Sequence, residues 1–178
     1  MMPFDSATHT LVTTLVLAAA VTDLHRRRIP NWLTFSGAAA GLFLNAITSG
    51  WAGVKNSLLG MILGFGFYLL LYSLRAMGAG DVKLMAAVGA MVGPGHWLLI
   101  FMASAVAGGV LALLCVLWKG RLKTTLWNTF FLVQELAHGR APFQRHKHLD
   151  VKDSRALTMP HGVAIAAGTM ACLSLAVI

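Results

Sequence analysis

The predicted membrane topology depends on the residues from Arg75 to Gly93, which read RAMGAGDVKLMAAVGAMVG. It places one carboxylate, Asp81, between a glycine-rich turn and an apolar segment, where a charge is costly and is therefore a candidate for function. The apolar part, Val82–Gly93, has twelve residues. As a helix it would rise only about 18 Å, whereas the hydrocarbon core of a bilayer is about 30 Å thick. The number of membrane crossings and the role of Asp81 both depend on this stretch.

The composition of the chain is that of an integral membrane protein. Hydrophobic residues make up 57% of the 178 residues, charged residues make up 11%, and the mean hydropathy is +0.73. A soluble domain carries roughly a quarter charged residues. The net charge of +8 would suit nucleic acid, but the basic residues lie in loops between apolar segments, so membrane topology explains them better. We therefore expect membrane lipids, and no nucleic acid, as partners.

Six apolar segments predict an all-α polytopic membrane protein with a bundle of six transmembrane helices. The segments are Ser6–Thr22, Leu33–Thr48, Asn56–Leu74, Val82–Gly93, His96–Trp118 and Leu157–Ile178. The first resembles a signal peptide in hydrophobicity, but no Lys or Arg precedes it and no soluble remainder follows, so we interpret it as a retained helix. For the short fourth segment, a re-entrant path is the alternative to a full crossing. All six are expected to form one membrane-embedded domain over residues 1–178.

The distribution of Lys and Arg residues favours six crossings. With six, 13 of the 14 basic residues lie on one side of the membrane and only Lys55 lies on the other. A re-entrant fourth segment would move the basic loop at residues 119–156 to the opposite side and remove this asymmetry. The positive-inside rule therefore places that loop in the cytoplasm and both termini outside.

Tryptophans, glycines and cysteines agree with a packed membrane bundle. Tryptophans at segment ends predict an aromatic belt at the membrane interface, namely Trp32, Trp51, Trp97 and Trp118. Glycines four residues apart predict close helix contacts, namely Gly37/Gly41, Gly60/Gly64 and Gly89/Gly93. Cys115 and Cys172 lie in apolar segments without CxxC spacing and are interpreted as buried structural thiols.

The loop at residues 119–156 predicts a surface element between helices five and six. A cytoplasmic amphipathic helix is predicted by apolar residues at helical spacing, namely Leu122, Leu126, Phe130, Val133 and Ala137. His146 and His148 follow, but no carboxylate or cysteine cluster completes a metal site there. A solvated basic segment near anionic lipid is the preferred interpretation. We expect no metal and no cofactor.

Two acidic residues are candidates for chemistry. Of the six acids, Asp23 and Asp81 alone lie at the margins of apolar segments, and the predicted topology places both on the cytoplasmic side. Two carboxyls at one depth can share a proton, so that one acts as a general base on water while the other donates to a substrate carbonyl. On spacing alone the alternative stays open: two unrelated interfacial aspartates, one of them capping a helix.

The residues that follow and precede these aspartates form two motifs. Asp23 is followed six residues later by Ile29-Pro30-Asn31, and Asp81 ends a GxGD motif that begins at Gly78 and contains Gly80. Lys83 follows the second motif, and the late stretch MPHGVAIAAG covers Met159–Gly168. Together they resemble the type IV prepilin peptidase family, polytopic aspartic proteases of the prokaryotic cytoplasmic membrane. The resemblance implies that Asp23 and Asp81 are the catalytic pair.

The resemblance also implies a substrate. It would be a prepilin or pseudopilin with a short basic leader, a glycine at the cleavage point and then a hydrophobic helix. Around the pair, Gly78 and Gly80 are expected to let the substrate backbone approach, and Pro30 to end the first helix. Helix dipoles would favour an ionised Asp81 at the start of helix four and a protonated Asp23 at the end of helix one.

One departure from longer family members concerns the amino terminus. Those members carry a cytoplasmic region, often with two CxxC pairs, that is associated with methylating the new N-terminus, whereas apolar segment one begins at Ser6 here. The chain is therefore similar to the short, peptidase-only branch that serves tight-adherence (Flp-type) pili, and we expect no methyltransferase domain and no S-adenosylmethionine site. The alternatives are a presenilin-like protease, a small proton-coupled transporter, or a structural subunit of a secretion or pilus machine.

Overall fold

The described part of the chain is helical, and short turns join the first three helices. A computed structural model describes residues 6–74, 77–118 and 161–176, together with Gly120 and Trp127. Four helices follow in order: α1 (Ser6–Arg26), α2 (Asn31–Ser73), α3 (Ala79–Trp118) and α4 (His161–Ala176). The all-α prediction is confirmed for the described residues. The amphipathic helix predicted within residues 119–156 lies almost entirely outside them.

The described residues belong to two compact units. One comprises residues 1–108 and 160–178, and the other comprises residues 109–159. Both aspartates and the helix contacts around them belong to the first unit. The prediction of a single membrane-embedded domain stays a prediction.

Three of the helices are long and apolar enough to cross a membrane. They are α1, α2 and α3, whose most apolar windows have mean hydropathies of 1.4, 1.6 and 2.5, whereas α4 is apolar but shorter. Large apolar side chains on these helices face outward; Phe43, for example, is 69% exposed. Contiguous apolar surface on this scale is unfavourable in water and favourable in lipid. The protein is therefore a multi-pass membrane protein.

The helices α2 and α3 are each divided by one glycine in the left-handed region. Gly50 has φ 58° and ψ −138° inside α2, and Gly93 has φ 73° and ψ 175° inside α3. Glycine adopts positive φ without the steric cost that a Cβ would bring, and Pro94, directly after Gly93, has no N–H to continue the helix. Each long helix therefore consists of two helical segments.

Contacts near both glycines show that the chain turns back on itself. A Cβ on Gly53 would meet the carbonyl group of Asn45, which only a reversal at Gly50 brings so near. The indole N–H of Trp97 donates to the carbonyl oxygen of Met85 at 3.2 Å, although twelve residues of continuous helix would separate them by about 18 Å. The six predicted apolar segments thus correspond to α1, the two segments of α2, the two segments of α3, and α4.

Close backbone contacts hold these segments together. A Cβ on Gly60 would collide with the carbonyl group of Gly89, and the converse is also true. A Cβ on Gly41 would lie 2.9 Å from the backbone nitrogen of Met91. Near these points the side-chain amide of Asn45 donates to the carbonyl oxygen of Met91 at 3.1 Å. The predicted close contacts at glycine are confirmed here, and such small-residue interfaces are typical of helix packing in membranes.

The aromatic belt prediction is wrong for one tryptophan. Trp32 and Trp51 are 69% and 70% exposed, as a belt requires, whereas Trp97 is fully buried. Its ring stacks on Phe101 with centroids 5.5 Å apart and meets Tyr68 edge-on at 6.5 Å. The reversal at Gly93 explains the difference, because it folds Trp97 back onto the first segment of α3 instead of leaving it at a segment end.

The first and last helices of the chain pack against each other. Buried residues on α1, including Val12 and Val16, join Ile165 and Leu173 of α4 in one apolar core. Because α4 lies along α1, its first turn is brought next to the last turn of α1. Asp23 lies in that last turn.

Candidate active site

Asp23 lies in the last turn of α1 and is 9% exposed. The helix continues past it, since the N–H of Arg27 donates to the carbonyl oxygen of Asp23 at 2.8 Å. Arg27 then adopts φ 49°, a left-handed conformation common at the carboxyl ends of helices. The chain leaves α1 there and enters α2 through Pro30, whose extended backbone precedes the first helical residue. The first helix therefore ends at Arg26, before Pro30 is reached, which corrects the expectation that Pro30 ends it.

The side chain of Asp23 is held by the first turn of α4. The backbone N–H of Gly162 donates to Oδ2 of Asp23 at 2.8 Å. A Cβ on Gly162 would lie 2.9 Å from the same oxygen and 3.0 Å from the Asp23 Cβ. Any side chain at this position would push the carboxyl group away. A glycine at residue 162 therefore allows the helix terminus to reach the carboxylate.

The side chain of Asp81 is held by its own turn. Asp81 is the third residue of α3 and is 7% exposed. The backbone N–H of Gly78 donates to Oδ2 of Asp81 at 3.2 Å, and the N–H of Asp81 donates to the carbonyl oxygen of Gly78 at 3.2 Å. These reciprocal bonds satisfy backbone groups that a helix start leaves free. The position of Asp81 at the amino end of α3 also favours a negative charge on its side chain.

Both aspartates line one open cavity of about 460 Å³. All seven residues singled out in the sequence line it: Asp23, Pro30, Asn31, Gly78, Gly80, Asp81 and Lys83. The charges of Asp23 and Asp81 are close enough to interact, and His161 also interacts electrostatically with Asp81. The cavity therefore holds two nearly buried carboxyls that come from segments almost sixty residues apart.

Direct contacts join the two motifs across the cavity. A Cβ on Gly80 would lie 3.3 Å from the Cβ of Ile29, and the ammonium group of Lys83 donates to Oδ1 of Asn31 at 2.8 Å. The absent side chain of Gly80 thus makes room for Ile29, and the expectation that this glycine serves substrate approach stays a prediction. Gly78 is exposed and meets only Asp81, so its expected role is unaffected.

Several residues at the site were not singled out from the sequence. Arg27 and Arg28 line the cavity, His161 and Gly162 approach it from α4, and Tyr68 is 2% exposed and interacts electrostatically with Asp81. The two arginines could have been identified from the sequence, because they lie about one helical turn after Asp23. The late motif contained Gly162, but nothing in its spacing indicated a bond to Asp23.

Two helix ends lie at Asp23, whereas the helix-dipole assignment of roles considered one. Asp23 lies in the last turn of α1, whose negative end disfavours a carboxylate. Its carboxyl group also receives an N–H from the amino end of α4, where the dipole favours negative charge. Asp81 receives support of the second kind alone, from the start of α3. The amino end of α4 therefore reduces the difference between the two aspartates, and the assignment of roles stays a prediction.

Metal ligands do not gather at the cavity in the part of the chain that the structure describes. No group of three or more His, Cys, Asp or Glu residues with suitable geometry occurs among those residues. Cys115, in the second unit, and Cys172 are both free and half-buried. His146 and His148 lie outside the described residues. The described residues place two carboxyl groups and three basic side chains at the cavity.

The fold and the cavity define a multi-pass membrane protein with a paired-carboxyl site. Comparison with protein families gives a match to the type IV leader peptidase family over residues 10–113, more than half of the chain. The matched region contains both aspartates and the motifs around them. The chain belongs to the type IV leader peptidase family.

Curated relatives agree with this assignment. The prepilin leader peptidase/N-methyltransferase of Burkholderia pseudomallei (strain 1026b) is 30% identical over 115 residues, which cover 61% of this chain and 37% of the relative. The proteins of the same name from Neisseria gonorrhoeae and Aeromonas salmonicida (strain A449) are 27% and 28% identical over 118 and 119 residues, covering 62% and 61% of this chain. These matches span 41% and 40% of the relatives. No solved structure matches the chain.

Proposed function

We propose that this protein is an aspartic endopeptidase of the prokaryotic inner membrane that removes the leader from type IV prepilins or pseudopilins. One observation carries the proposal: Asp23 and Asp81, each less than 10% exposed, line the same open cavity and interact electrostatically. Membership in a leader peptidase family supports it. The name of the relatives includes an N-methyltransferase activity, which we do not extend to this chain.

The proposed mechanism uses one ionised and one protonated carboxyl group. The carboxylate removes a proton from a water molecule as the water oxygen bonds to the scissile carbonyl carbon. The carboxylic acid donates its proton to the carbonyl oxygen, and a tetrahedral intermediate forms. Collapse of the intermediate breaks the C–N bond, and the proton taken from water passes to the leaving amine. One hydroxyl proton of the intermediate returns to the carboxyl group that had donated it, which restores one ionised and one protonated aspartate. This mechanism does not depend on which aspartate has which role.

The residues around the dyad, as we call Asp23 and Asp81, suit this chemistry. Each carboxyl group accepts a backbone N–H on Oδ2, from Gly162 or from Gly78, so its position does not depend on flexible side chains. Preorganised polar groups of this kind lower the cost of charge movement during the reaction. Arg27 and Arg28 at the cavity wall add positive potential beside the developing negative charge.

We also infer that the six apolar segments each cross the membrane, with the cavity on the cytoplasmic face and both termini outside. The reversals at Gly50 and Gly93 support six crossings, and the three basic residues that line the cavity support the cytoplasmic face. Single cysteines in place of Lys55 and Arg28 test this topology. A membrane-impermeant thiol reagent applied to intact cells should label residue 55 and leave residue 28 unlabelled.

The proposal also extends to the type of pilus that the substrate forms. The resemblance to the short branch that serves tight-adherence pili supports a Flp-type prepilin as the substrate. Co-expression with candidate prepilins from the same genome, followed by the mass of the mature pilin, identifies the one that is cut.

A cleavage assay tests the proposed activity. Purified protein in lipid vesicles is mixed with a full-length prepilin, and the mature form is detected by mass. We expect cleavage after the leader by the wild type and none by the Asp23→Asn/Asp81→Asn double variant. A transporter or a structural subunit would leave the prepilin intact with both proteins, and that result would refute the proposal.

A further inference from the structure

A second cavity lies next to the catalytic one and has the opposite character. It measures about 300 Å³ and is almost entirely apolar. The apolar residues that line it include Phe35, Ala38, Ile62, Phe65, Ala86 and Ala87, and we call this cavity the apolar groove. These residues come from both segments of α2 and from the first segment of α3, so the groove runs between three packed helix segments.

The apolar groove and the catalytic cavity share one lining residue. Lys83 lines both, and its ammonium group is bonded to Asn31 of the catalytic cavity. The stem of such a side chain can cover apolar surface while its charged end stays in a polar site. Lys83 therefore marks the boundary at which the polar cavity ends and the apolar groove begins.

The groove leads from the dyad towards the apolar interior of the membrane. On α3 it reaches from Lys83 to Ala87, which is six residues beyond Asp81 and about 9 Å further along the helix axis. On α2 it reaches Ala38, seven residues beyond Asn31 and about 10 Å along that axis. Both walls thus extend about two helical turns away from the catalytic cavity.

Large residues form the sides of the groove and small residues form its floor. Phe35 and Ile62 are 66% and 64% exposed, whereas Ala86 and Ala87 are 8% and 0% exposed. Small residues at a helix surface let a second helix approach closely, and this packing drives helix association in lipid. The shape and chemistry of the groove fit an apolar helix that lies beside α3.

We propose that the apolar groove binds the first two turns of the substrate's hydrophobic helix, just after the scissile bond. This inference rests on the proposed function, because it requires a substrate whose cleavage point directly precedes such a helix. With the scissile bond at Asp23 and Asp81, the next residues reach Lys83 and then the groove. About six helical residues occupy a length of about 9 Å, which matches the distance along α3 from Asp81 to the far end of the groove at Ala87.

A pair of neighbouring alanines provides the test. Ala38 lines the groove, whereas Ala39 is exposed, does not line it, and points about 100° away around α2. Ala38→Phe should fill the groove and raise KM for a full-length prepilin about tenfold with little change in kcat. Ala39→Phe should leave both values unchanged. Equal thermal unfolding of the two variants and the wild type shows that the bundle is intact.

Photo-crosslinking gives a second, independent measurement. A photoreactive amino acid is placed at residue 38 or at residue 39 in an Asp81→Asn background, where substrate is bound but not cut. We expect crosslinks from residue 38 to the first residues of the mature prepilin helix, and none from residue 39. A lipid crosslinked at residue 38 in the presence of prepilin would overturn the proposal, as would a second copy of this chain.

The two proposals fail in different ways. If the wild type cleaves the prepilin and Ala38→Phe has the same KM as Ala39→Phe, the groove is not the docking site and the peptidase activity stands. If the wild type cleaves no prepilin, the proposed function fails and this inference fails with it.

Discussion

The two aspartates have nearly equal burial but are held in place by different parts of the chain. Asp81 takes its N–H from Gly78, three residues earlier, within the turn that starts α3. Asp23 takes its N–H from Gly162, 139 residues away, at the start of α4. A local motif can therefore fix Asp81, whereas Asp23 depends on the packing of the whole bundle. The difference shows that two carboxyl groups of similar burial at one cavity can be held in place by a local turn in one case and by a distant helix in the other.

The largest expected effect is the loss of either carboxyl. Asp23→Asn and Asp81→Asn should each lower kcat by about 10²–10⁴-fold or more, because an amide cannot exchange the proton that each role requires. The measurement is prepilin cleavage in vesicles, with equal insertion verified for each variant.

Matched controls for this pair are Asp150→Asn and Asp153→Asn, which lie outside the described residues and are expected from the sequence to be tolerated. Activity close to wild type in either Asp23→Asn or Asp81→Asn would end the catalytic assignment. A large loss in one and a small loss in the other would show that the pair is not a dyad.

The next largest effect concerns the N–H donor that holds Asp23, and it can be compared with the effect at the donor that holds Asp81. Gly162→Ala places a Cβ 2.9 Å from Oδ2 of Asp23, and a displacement of about 1 Å in a reacting group can cost about 10²-fold in rate. We expect a loss of about that size in kcat, measured by single-turnover cleavage. Gly66→Ala is the matched control, because a Cβ there meets nothing within 4 Å. Equal activity of both variants would show that the bond from Gly162 does not position Asp23.

A smaller effect is expected at the corresponding position beside Asp81. A Cβ on Gly78 would lie 3.4 Å from Oδ2 of Asp81, an ordinary contact, and the N–H donor would remain. Gly78→Ala should therefore lower kcat by no more than about threefold, since small shifts at a well-tolerated site cost well under 1 kcal/mol. A loss as large as that of Gly162→Ala would remove the proposed difference between the two supports.

The bond between the two motifs should contribute least among these contacts. The ammonium group of Lys83 donates to Oδ1 of Asn31 at 2.8 Å at an exposed position, and a typical hydrogen bond contributes a net stabilisation of about 0.5–1.5 kcal/mol. A double-mutant cycle with Lys83→Met and Asn31→Ala should give a coupling energy in that range for thermal unfolding. A coupling energy of zero would mean that the bond does not hold the motifs together.

Removal of metal ions should have no effect on cleavage. The two carboxyl groups supply both the base and the acid that the proposed hydrolysis needs, and the described residues offer no cluster of three metal ligands. Activity in the presence of EDTA should equal activity without it. Loss of activity that zinc restores would direct attention to His146 and His148.

The positions of the two carboxyl groups were predictable because each motif contains residues that interrupt a helix. Pro30 follows Asp23 closely, and the glycines before Asp81 end one segment and start the next, so both carboxyls were expected at segment margins on one side. The structure brings all seven predicted residues to one cavity. Local sequence was sufficient for these features because chain breaks and apolar periods are local properties.

Other features depended on which helices become neighbours. The bond from Gly162 to Asp23 exists because α4 packs along α1, and no spacing within either segment specifies that pairing. Trp97 stands at a segment boundary like a belt residue, but the reversal at Gly93 turns it inward. Gly80 precedes the aspartate in its motif, yet its neighbour is Ile29 from the other motif. Tertiary packing decides each of these three cases.

The distance along the chain between Asp23 and Gly162 also has a consequence for biogenesis. A nascent chain is made from its amino end and folds in that order. Asp23 and Asp81 are therefore synthesised and inserted well before Gly162 leaves the ribosome. Until α4 has been made and packed against α1, Asp23 lacks the N–H donor that holds its carboxyl group. A helix translated long after both aspartates thus completes the proposed site, so a ribosome that stalls before α4 is made leaves that site unassembled.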